Sequence, residues 1–442
     1  MNKDESQSKM EAIVSLCKRR GFIFAGSDIY GGLAGTYDYG PLGVLLKKNI
    51  QASWWKHFVT NREDMYGIDA AILMNPKAWE ASGHVSGFSD PLVECSKCHR
   101  RFRADHIETK ADGLQYCPDD NQLLGASRQF NMMFKTQVGA TEDPTSISYL
   151  RPETAGGMFV NFKNVVDSFH PKLPFGLAQM GKAFRNEIAP RDFIFRLREL
   201  EQMEIEYFCH PDTWKEMFEH LRSEFTTWLL SLGLPKESIH EVEIGDDDRA
   251  HYSKRTIDFE FDFPMGQKEL AGLAYRTDFD LKQHSEFSKT DLSYFDEERK
   301  ERFIPHCIEP SIGVERALLS VLTSAYREEQ LEDDTRIVLG FNPLVAPIQI
   351  SILPLSKKEE LTVPARMIMN DLKKIARVAY DETQSIGKRY RRQDEIGTPW
   401  CVTVDFETAT DNAVTVRDRD TMAQERIQIS DLSDYFKNKL GQ

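Results

Sequence analysis

What the 442-residue chain lacks narrows it first. No run is apolar for the ~20 residues that a helix needs to cross a bilayer, and the opening M-N-K-D-E-S-Q-S-K-M is charged, with no apolar core. Both features lead us to expect a soluble, cytoplasmic protein. Cysteine is sparse, at positions 17, 95, 98, 117, 209, 307 and 401. That odd, scattered set suits a reducing compartment rather than a disulfide framework. Net positive charge is missing too. With 56 basic against 70 acidic side chains and a net of -14, the overall field does not steer the chain to nucleic acid, so RNA contact must use local basic patches. A phosphate cradle of the P-loop kind is excluded as well: Gly35 and Gly40 have its spacing, but Pro41 and Leu42 stand where Lys and Ser or Thr should follow. No internal repeat or low-complexity segment is visible.

What is there centres on residues 180–208, which place charge where a core should be. The breaker at residues 189–192 divides them into strand, loop and strand. Read with period two, Met203, Ile205 and Tyr207 face one way, and Arg196, Arg198, Gln202, Glu204 and Glu206 the other. Leu197, Leu200, Met203 and Tyr207 also recur at helical steps, so periodicity alone leaves a helix open. Two facing strands would set Arg185 and Glu187 against Arg196 and Arg198. A floor alternating in sign suits a ligand that carries both phosphate and ammonium.

Around this centre, residues 8–20 read as helix, as do 42–58, with the stripe Leu46, Ile50, Trp54 and Phe58, and the amphipathic 211–232. Thr154 is placed to cap the helix that follows it. The acidic loop at 245–248 reads as solvated, and 268–278 as a strand. Gly313 permits close backbone approach, and Arg316 can reach a phosphate bidentately from the first turn of the next helix. Cys95, Cys98 and Cys117 are three quarters of a zinc ribbon; Asp120, His99 or His106 could complete it, and a vestigial knuckle is an equal alternative. The pattern breaks at 342–347, and the alternation of strand and helix beyond it implies a small α/β domain. Its patch G-K-R-Y-R-R, with Arg389, Arg391 and Arg392 around Tyr390, reads as an RNA contact or as a solvated helix face.

F-R-N-E, a Pro-containing loop and then F-x-R-x-R-E-x-E-Q-M-E together resemble motif 2 of the class II aminoacyl-tRNA synthetases, in the form used by their dimeric glycyl branch. D-Y-G-P-L-G and its helix resemble motif 1, the family's dimer interface, and E-P-S-I-G-V-E-R resembles motif 3. R-A-D, R-P-E-T and E-L-x-G-x-x-x-R-x-D match further segments. The resemblance implies an α+β fold: an antiparallel sheet flanked by helices over residues 1–343, with a cysteine-containing insertion at about 90–125, and an α/β anticodon-binding domain over 344–442. It makes 180–208 an antiparallel hairpin. It also implies a homodimer that joins glycine to tRNA(Gly) with ATP and Mg²⁺. The alternatives are a non-catalytic nucleic-acid-binding subunit and a class II enzyme for another amino acid.

The resemblance also distributes roles. Arg185, Glu187 and Arg316 would be catalytic. The ATP site would add Asn186, Phe195 (stacked on adenine), Arg196, Leu197, Arg198, Glu199, Leu200, Glu269, Leu270, Gly313, Val314 and Glu315. Glycine would meet Arg103, Glu153, Leu200, Glu201, Gln202, Met203 and Glu204, together with Glu309, Pro310, Ser311, Ile312 and Gly313. Glu269 and Glu309 are the candidate Mg²⁺ ligands, and Cys95, Cys98 and Cys117 those for zinc; some family members carry four cysteines there. Because the chemistry-bearing residues all precede the break, the part beyond it is expected to bind tRNA through Arg389, Arg391 and Arg392 and to be separable from activation.

Overall fold

The structure is a computed structural model that describes residues 3–140, 143, 146–250, 252–332 and 334–441. Its centre is a seven-stranded sheet in the order Ile239–Glu243, Arg255–Phe263, Gly266–Thr277, His306–Gly313, Glu199–Cys209, Phe175–Phe184, Met65–Gly67. Every pairing is antiparallel except the last. The 180–208 segment is thus a hairpin, with Glu199 opposite Phe184 and Phe208 opposite Phe175.

Alternation decides what each face buries. Met203, Ile205 and Tyr207 turn into a large apolar core against the helices Pro41–Trp55, Trp214–Ser231 and Val314–Ala325. Leu46, Ile50, Trp54 and Phe58 all enter that core. On the opposite face Phe208 packs under the helix Ala155–Phe169, leaving Gln202, Glu204 and Glu206 beside it.

Two expectations fail locally. The second strand begins at Glu199 rather than near Phe193, because Asp192 (φ 61°) and Phe193 (φ 55°) are left-handed and cannot extend a ladder. Thr154 makes no side-chain cap bond; its hydroxyl donates to Glu204 instead.

A second, five-stranded sheet follows in the order Val378–Tyr380, Ile350–Pro354, Trp400–Val404, Ala413–Asp418, Gln424–Gln428. Its first three strands are parallel and the rest antiparallel. It has its own core, closed by the helices Glu359–Leu372 and Leu432–Leu440. The two parts do not merely abut. Arg336, on the hairpin after the Val314–Ala325 helix, places Nε 2.8 Å from Asp394 Oδ2, and Arg417 Nη1 lies 2.9 Å from the other oxygen. All three side chains are buried. Arg20 also donates to Glu395 at 2.5 Å.

A three-stranded sheet, Arg101–Arg103, Ser89–Glu94, Arg128–Asn131, carries the cysteine knuckle. No helix among the described residues is long and apolar enough to cross a membrane.

Candidate active site

A cavity of about 310 Å³ lies over the polar face of the large sheet. Gln202 and Glu204 form its floor, with 269–274, Glu309 and 311–313 beside them. The long hairpin loop walls one side and Asp248, Arg249, Ala250 and Tyr252 another. The strand shows the cavity only alternate residues, so the contiguous expectation L-E-Q-M-E splits in two. Leu200, Gln202 and Glu204 face in; Met203 is core, and Glu201 turns to the Pro41–Trp55 helix, accepting from Lys47 Nζ and Gln51 Nε2 at 2.6 Å each.

Glu204 is fully engaged. Its Oε2 accepts from Thr154 N (3.0 Å), Thr154 Oγ1 (2.5 Å) and Ala155 N (3.0 Å), and its Oε1 from Gln202 Nε2 (2.6 Å) and Ser311 Oγ (2.7 Å). Five donors exceed the four lone-pair sites of a carboxylate, so Glu204 fixes the floor and has nothing left with which to grip a ligand, while Ser311, its proton spent on Glu204, keeps only its acceptor lone pairs for one. The R-P-E-T segment is held in turn by Arg151, whose Nε donates to Lys182 O at 2.6 Å and Nη1 to Ala70 O at 2.7 Å. A Cβ at Gly181 would strike Arg151 Nη2, so any larger residue there would displace the guanidinium.

Three acids at this end differ in charge. Burial raises Glu153, but His84, whose Nε2 is 3.3 Å away, together with Arg276 and Arg185, outweighs it and brings the carboxyl to about 2. Burial dominates at Glu309, which sits at about 8 despite Arg276, with Glu204 and Glu153 pushing the same way as burial. Glu206, one step deeper, is driven well above the usual range by burial and by Glu309. Arg276 is the organiser: Nε and Nη2 meet Asp280 at 2.8 Å each, and Nη1 meets both oxygens of Glu309 at 3.0 and 2.9 Å. Both oxygens of Glu309 are thus paired with arginine, with which Mg²⁺ would have to compete for it.

At the other end Glu187, Phe195, Arg196, Leu197, Glu269, Leu270, Gly313 and Arg316 come together, with Ile312 beside them and Arg185 between this group and Glu153. Arg185 Nε is anchored on Pro152 O at 3.1 Å, and Arg196 faces Glu187 at 3.5 Å. The Arg316 guanidinium lies 4.5 Å from the Phe195 ring centre and 3.1 Å from a Glu269 oxygen. Asp258, on the neighbouring strand, also lines this wall; burial, then Glu269 and Glu260, raise it to about 7 against the pull of Arg316. Asp258 and Glu269 offer the hard oxygen donors that Mg²⁺ takes, so the wall fits that ion.

Several expected residues lie elsewhere. Arg198 spends its guanidinium on the carbonyls of Glu187 and Ala34, Glu199 pairs with Lys182, and Asn186 is tied through its backbone to Met132. Arg103 is held by Asp90 and Asp105. Val314 is core, and Pro310 is buried within its strand. Glu315, by contrast, does reach the cavity wall; it accepts from Tyr39 Oη at 3.3 Å and Glu201 N at 2.9 Å, and burial, with the Glu201 charge adding, lifts it to about 7 against Lys47 and backbone hydrogen bonding.

The knuckle brings Cys95, Cys98, Cys117 and Asp120 together, with ligand atoms all within 4.8 Å of one another and the Cys98 and Cys117 sulfurs 3.7 Å apart. A tetrahedron of Zn–S bonds of about 2.3 Å has edges of about 3.8 Å, so the set fits zinc. His99 and His106 are not in it.

In the C-terminal part the basic patch is largely consumed. Arg389 is 2% exposed and donates to the carbonyls of Pro354, Asp381 and Leu355. Arg392 binds Asp381 and Thr383, Arg391 faces Asp334 at 4.0 Å, and the Tyr390 hydroxyl meets Thr403. The strand ends expose carbonyls that need donors, and these arginines supply them.

His84, Tyr252, Asp258 and Arg276 were missed in the sequence. Arg276 was visible inside the E-L-x-G-x-x-x-R-x-D string, and Asp258 in the alternation D-F-E-F-D-F; nothing local marked His84 or Tyr252.

Residues 134–326 match the family described as tRNA synthetase class II core domain (G, H, P, S and T), and residues 349–439 the Anticodon binding domain. A glycine--tRNA ligase of Bacillus thuringiensis subsp. konkukian is 52% identical over 455 residues, covering 98% of this chain and 99% of that protein. One from Acetivibrio thermocellus is 52% identical over 460 residues, with the same coverage. Prolyl-tRNA synthetase from Cryptosporidium parvum, solved with halofuginone and AMPPNP, superposes with a TM-score of 0.68 over 96% of this chain and 74% of its own. At 16% identity it speaks to the fold alone.

Proposed function

The chain belongs to the glycine--tRNA ligases, a family of class II aminoacyl-tRNA synthetases, and from that membership we propose how its residues divide the work. It is a ligase that activates glycine with ATP and passes it to tRNA(Gly). Residues 1–343 carry out the activation and 344–442 hold the tRNA. The observation that carries this reading is one cavity with a carboxylate, Glu153, at one end, Arg316 at the other and Arg185 between them.

The glycine ammonium pairs with Glu153, and its carboxylate points toward Arg185. A carboxylate oxygen attacks the α-phosphorus of ATP, the bond to the bridging oxygen breaks, and pyrophosphate leaves with the electron pair. In the second step a hydroxyl of the terminal tRNA ribose attacks the glycyl carbonyl and AMP departs. No side-chain nucleophile takes part, so catalysis is positioning and charge stabilisation. Arg185 meets charge at the α-phosphate and Arg316 at the far phosphates. Arg316 must open away from Phe195 if that ring is to stack on adenine. Mg²⁺, held by Asp258 and Glu269, would neutralise phosphate oxygens.

Glycine-dependent ATP–pyrophosphate exchange tests this reading, with alanine and serine expected as poor substrates. Glu204 is locked by five donors and Glu309 by Arg276, so the floor cannot retreat from an added methyl. Steric rejection of this kind escapes the roughly 10–200-fold limit on selection by a missing methylene. Comparable exchange with alanine would refute the proposed pocket.

Zinc is expected at about one per chain, bound by Cys95, Cys98, Cys117 and Asp120. Metal analysis of protein purified without chelator should find it in the wild type and not in Cys95→Ser; a metal-free wild type would make the knuckle vestigial. A homodimer is part of the proposal, supported by Ile29, Tyr30 and Leu33, which are 89%, 86% and 60% exposed on one loop. A cytoplasmic location is supported by seven unpaired cysteines.

A further inference from the structure

With Arg389 buried, the tRNA-facing surface of the C-terminal part must lie elsewhere, and the parallel strands say where to look. In open α/β sheets ligands bind beyond the carboxyl ends of the strands. Val378–Tyr380, Ile350–Pro354 and Trp400–Val404 run parallel, so their carboxyl ends share one edge. Just beyond two of those ends stand exposed apolar side chains: Leu355, the first residue after Pro354, at 37%, and Phe406, the second after Val404, at 47%. Leu355 N donates to Val404 O at 2.8 Å, which holds the two loops side by side. Lys358 Nζ stands 5.0 Å from the centre of the Phe406 ring.

The arginines of the basic run build this edge from beneath. Arg389 ties the carbonyls of Pro354, Leu355 and Asp381, so one buried guanidinium fixes the loops after two strands. Arg392 neutralises Asp381, and Arg426 neutralises Asp405 at 2.5 Å. Two of the acids in these loops are thereby paired internally. Lys357, Lys358 and Lys388 stay exposed along the edge, with Lys358 only loosely matched to Glu360 at 3.6 Å.

We infer that Phe406, with Leu355 beside it and Lys358 above it, is a stacking platform for an unpaired base of the tRNA anticodon loop. Proteins read single-stranded RNA by splaying bases onto aromatic faces while cations meet the phosphates. An exposed phenylalanine offers a π-face without a hydrogen-bonding edge, so this contact contributes affinity, and base identity is read by other groups. The inference rests on the tRNA(Gly) reading above.

The test measures binding of a tRNA(Gly) transcript, with glycine-dependent exchange as an internal control. Phe406→Ala is expected to weaken binding roughly five- to hundredfold while leaving exchange unchanged. Phe406→Trp should restore binding, and Phe406→Leu, which keeps the apolar bulk but not the ring, should not. Lys358→Ala should reduce the slope of log affinity against log salt by up to about one unit; as an exposed residue it carries the test even if position 406 disturbs folding. Normal tRNA binding in both Phe406→Ala and Lys358→Ala, with exchange intact, would overturn the platform and leave the ligase reading standing. Absence of glycine-dependent exchange in the wild type would instead overturn the reading beneath it.

Discussion

Arg316→Ala and Arg185→Ala are each expected to lower glycine-dependent exchange by roughly two to three orders of magnitude, the usual cost of removing one preorganised donor from a developing oxyanion. Arg185 is set before substrate arrives, anchored on Pro152 O; Arg316 rests on the side chain and carbonyl of Glu269 and has to part from the Phe195 ring when adenine stacks there. A donor fixed in this way reorganises little when charge develops, so its loss should fall on kcat more than on KM for ATP. Neither side chain belongs to the apolar core, so the variants should melt like the wild type. Near-normal exchange in a folded variant would return that arginine to a merely structural role. Lysine at either position should recover only part of the rate, because an ammonium cannot reproduce the planar fork.

Asp394→Ala is expected to cost about 3–5 kcal/mol in urea denaturation, the range for removing one partner from a buried ion pair. Arg336 and Arg417 close on its carboxylate from two sides, and both are buried. Without it they would face each other, with only Glu329 left to offset Arg336. Replacing all three by apolar residues of similar volume should cost much less than the single change, since the pairing then disappears as a unit. An Asp394→Ala protein as stable as the wild type would mean that water reaches the cluster. The same cluster bears on separability. Cutting the chain near residue 344 strips Arg336 of Asp394 and α-helical Arg20 of Glu395, so the activation half does not come away with an intact surface.

How far the sequence reached depended on what kind of signal each residue carried. The hairpin and the helix after Gly313 were legible because their apolar periods survive in the fold. The motif resemblance supplied runs of neighbours, but a strand presents only alternate residues to a cavity. Glu201 and Met203 were therefore assigned to a pocket that their own parity excludes. The start of the second strand was missed because Asp192 and Phe193 take left-handed backbone, which neither residue type announces. K-R-Y-R-R reads identically whether its arginines meet phosphate or the carbonyls of strand ends, and only the tertiary structure separates the two. His84, which holds Glu153 ionised, sits 69 residues upstream of it, and no local pattern connects them.

The strand Glu199–Cys209 has two readers. Its even-numbered side chains answer to the cavity, and Glu201, between them, answers to Lys47 and Gln51 on the Pro41–Trp55 helix, while Glu315 is clasped by Tyr39 and the Glu201 backbone. A one-residue slip would carry Gln202 and Glu204 into the apolar layer and strand the Lys47 ammonium at once. Register is thus checked from both sides, and the cavity floor inherits its placement from a helix that never meets the substrate. For anyone redesigning amino-acid specificity here, the 41–55 helix is part of the pocket's specification, although no residue of it lines the cavity.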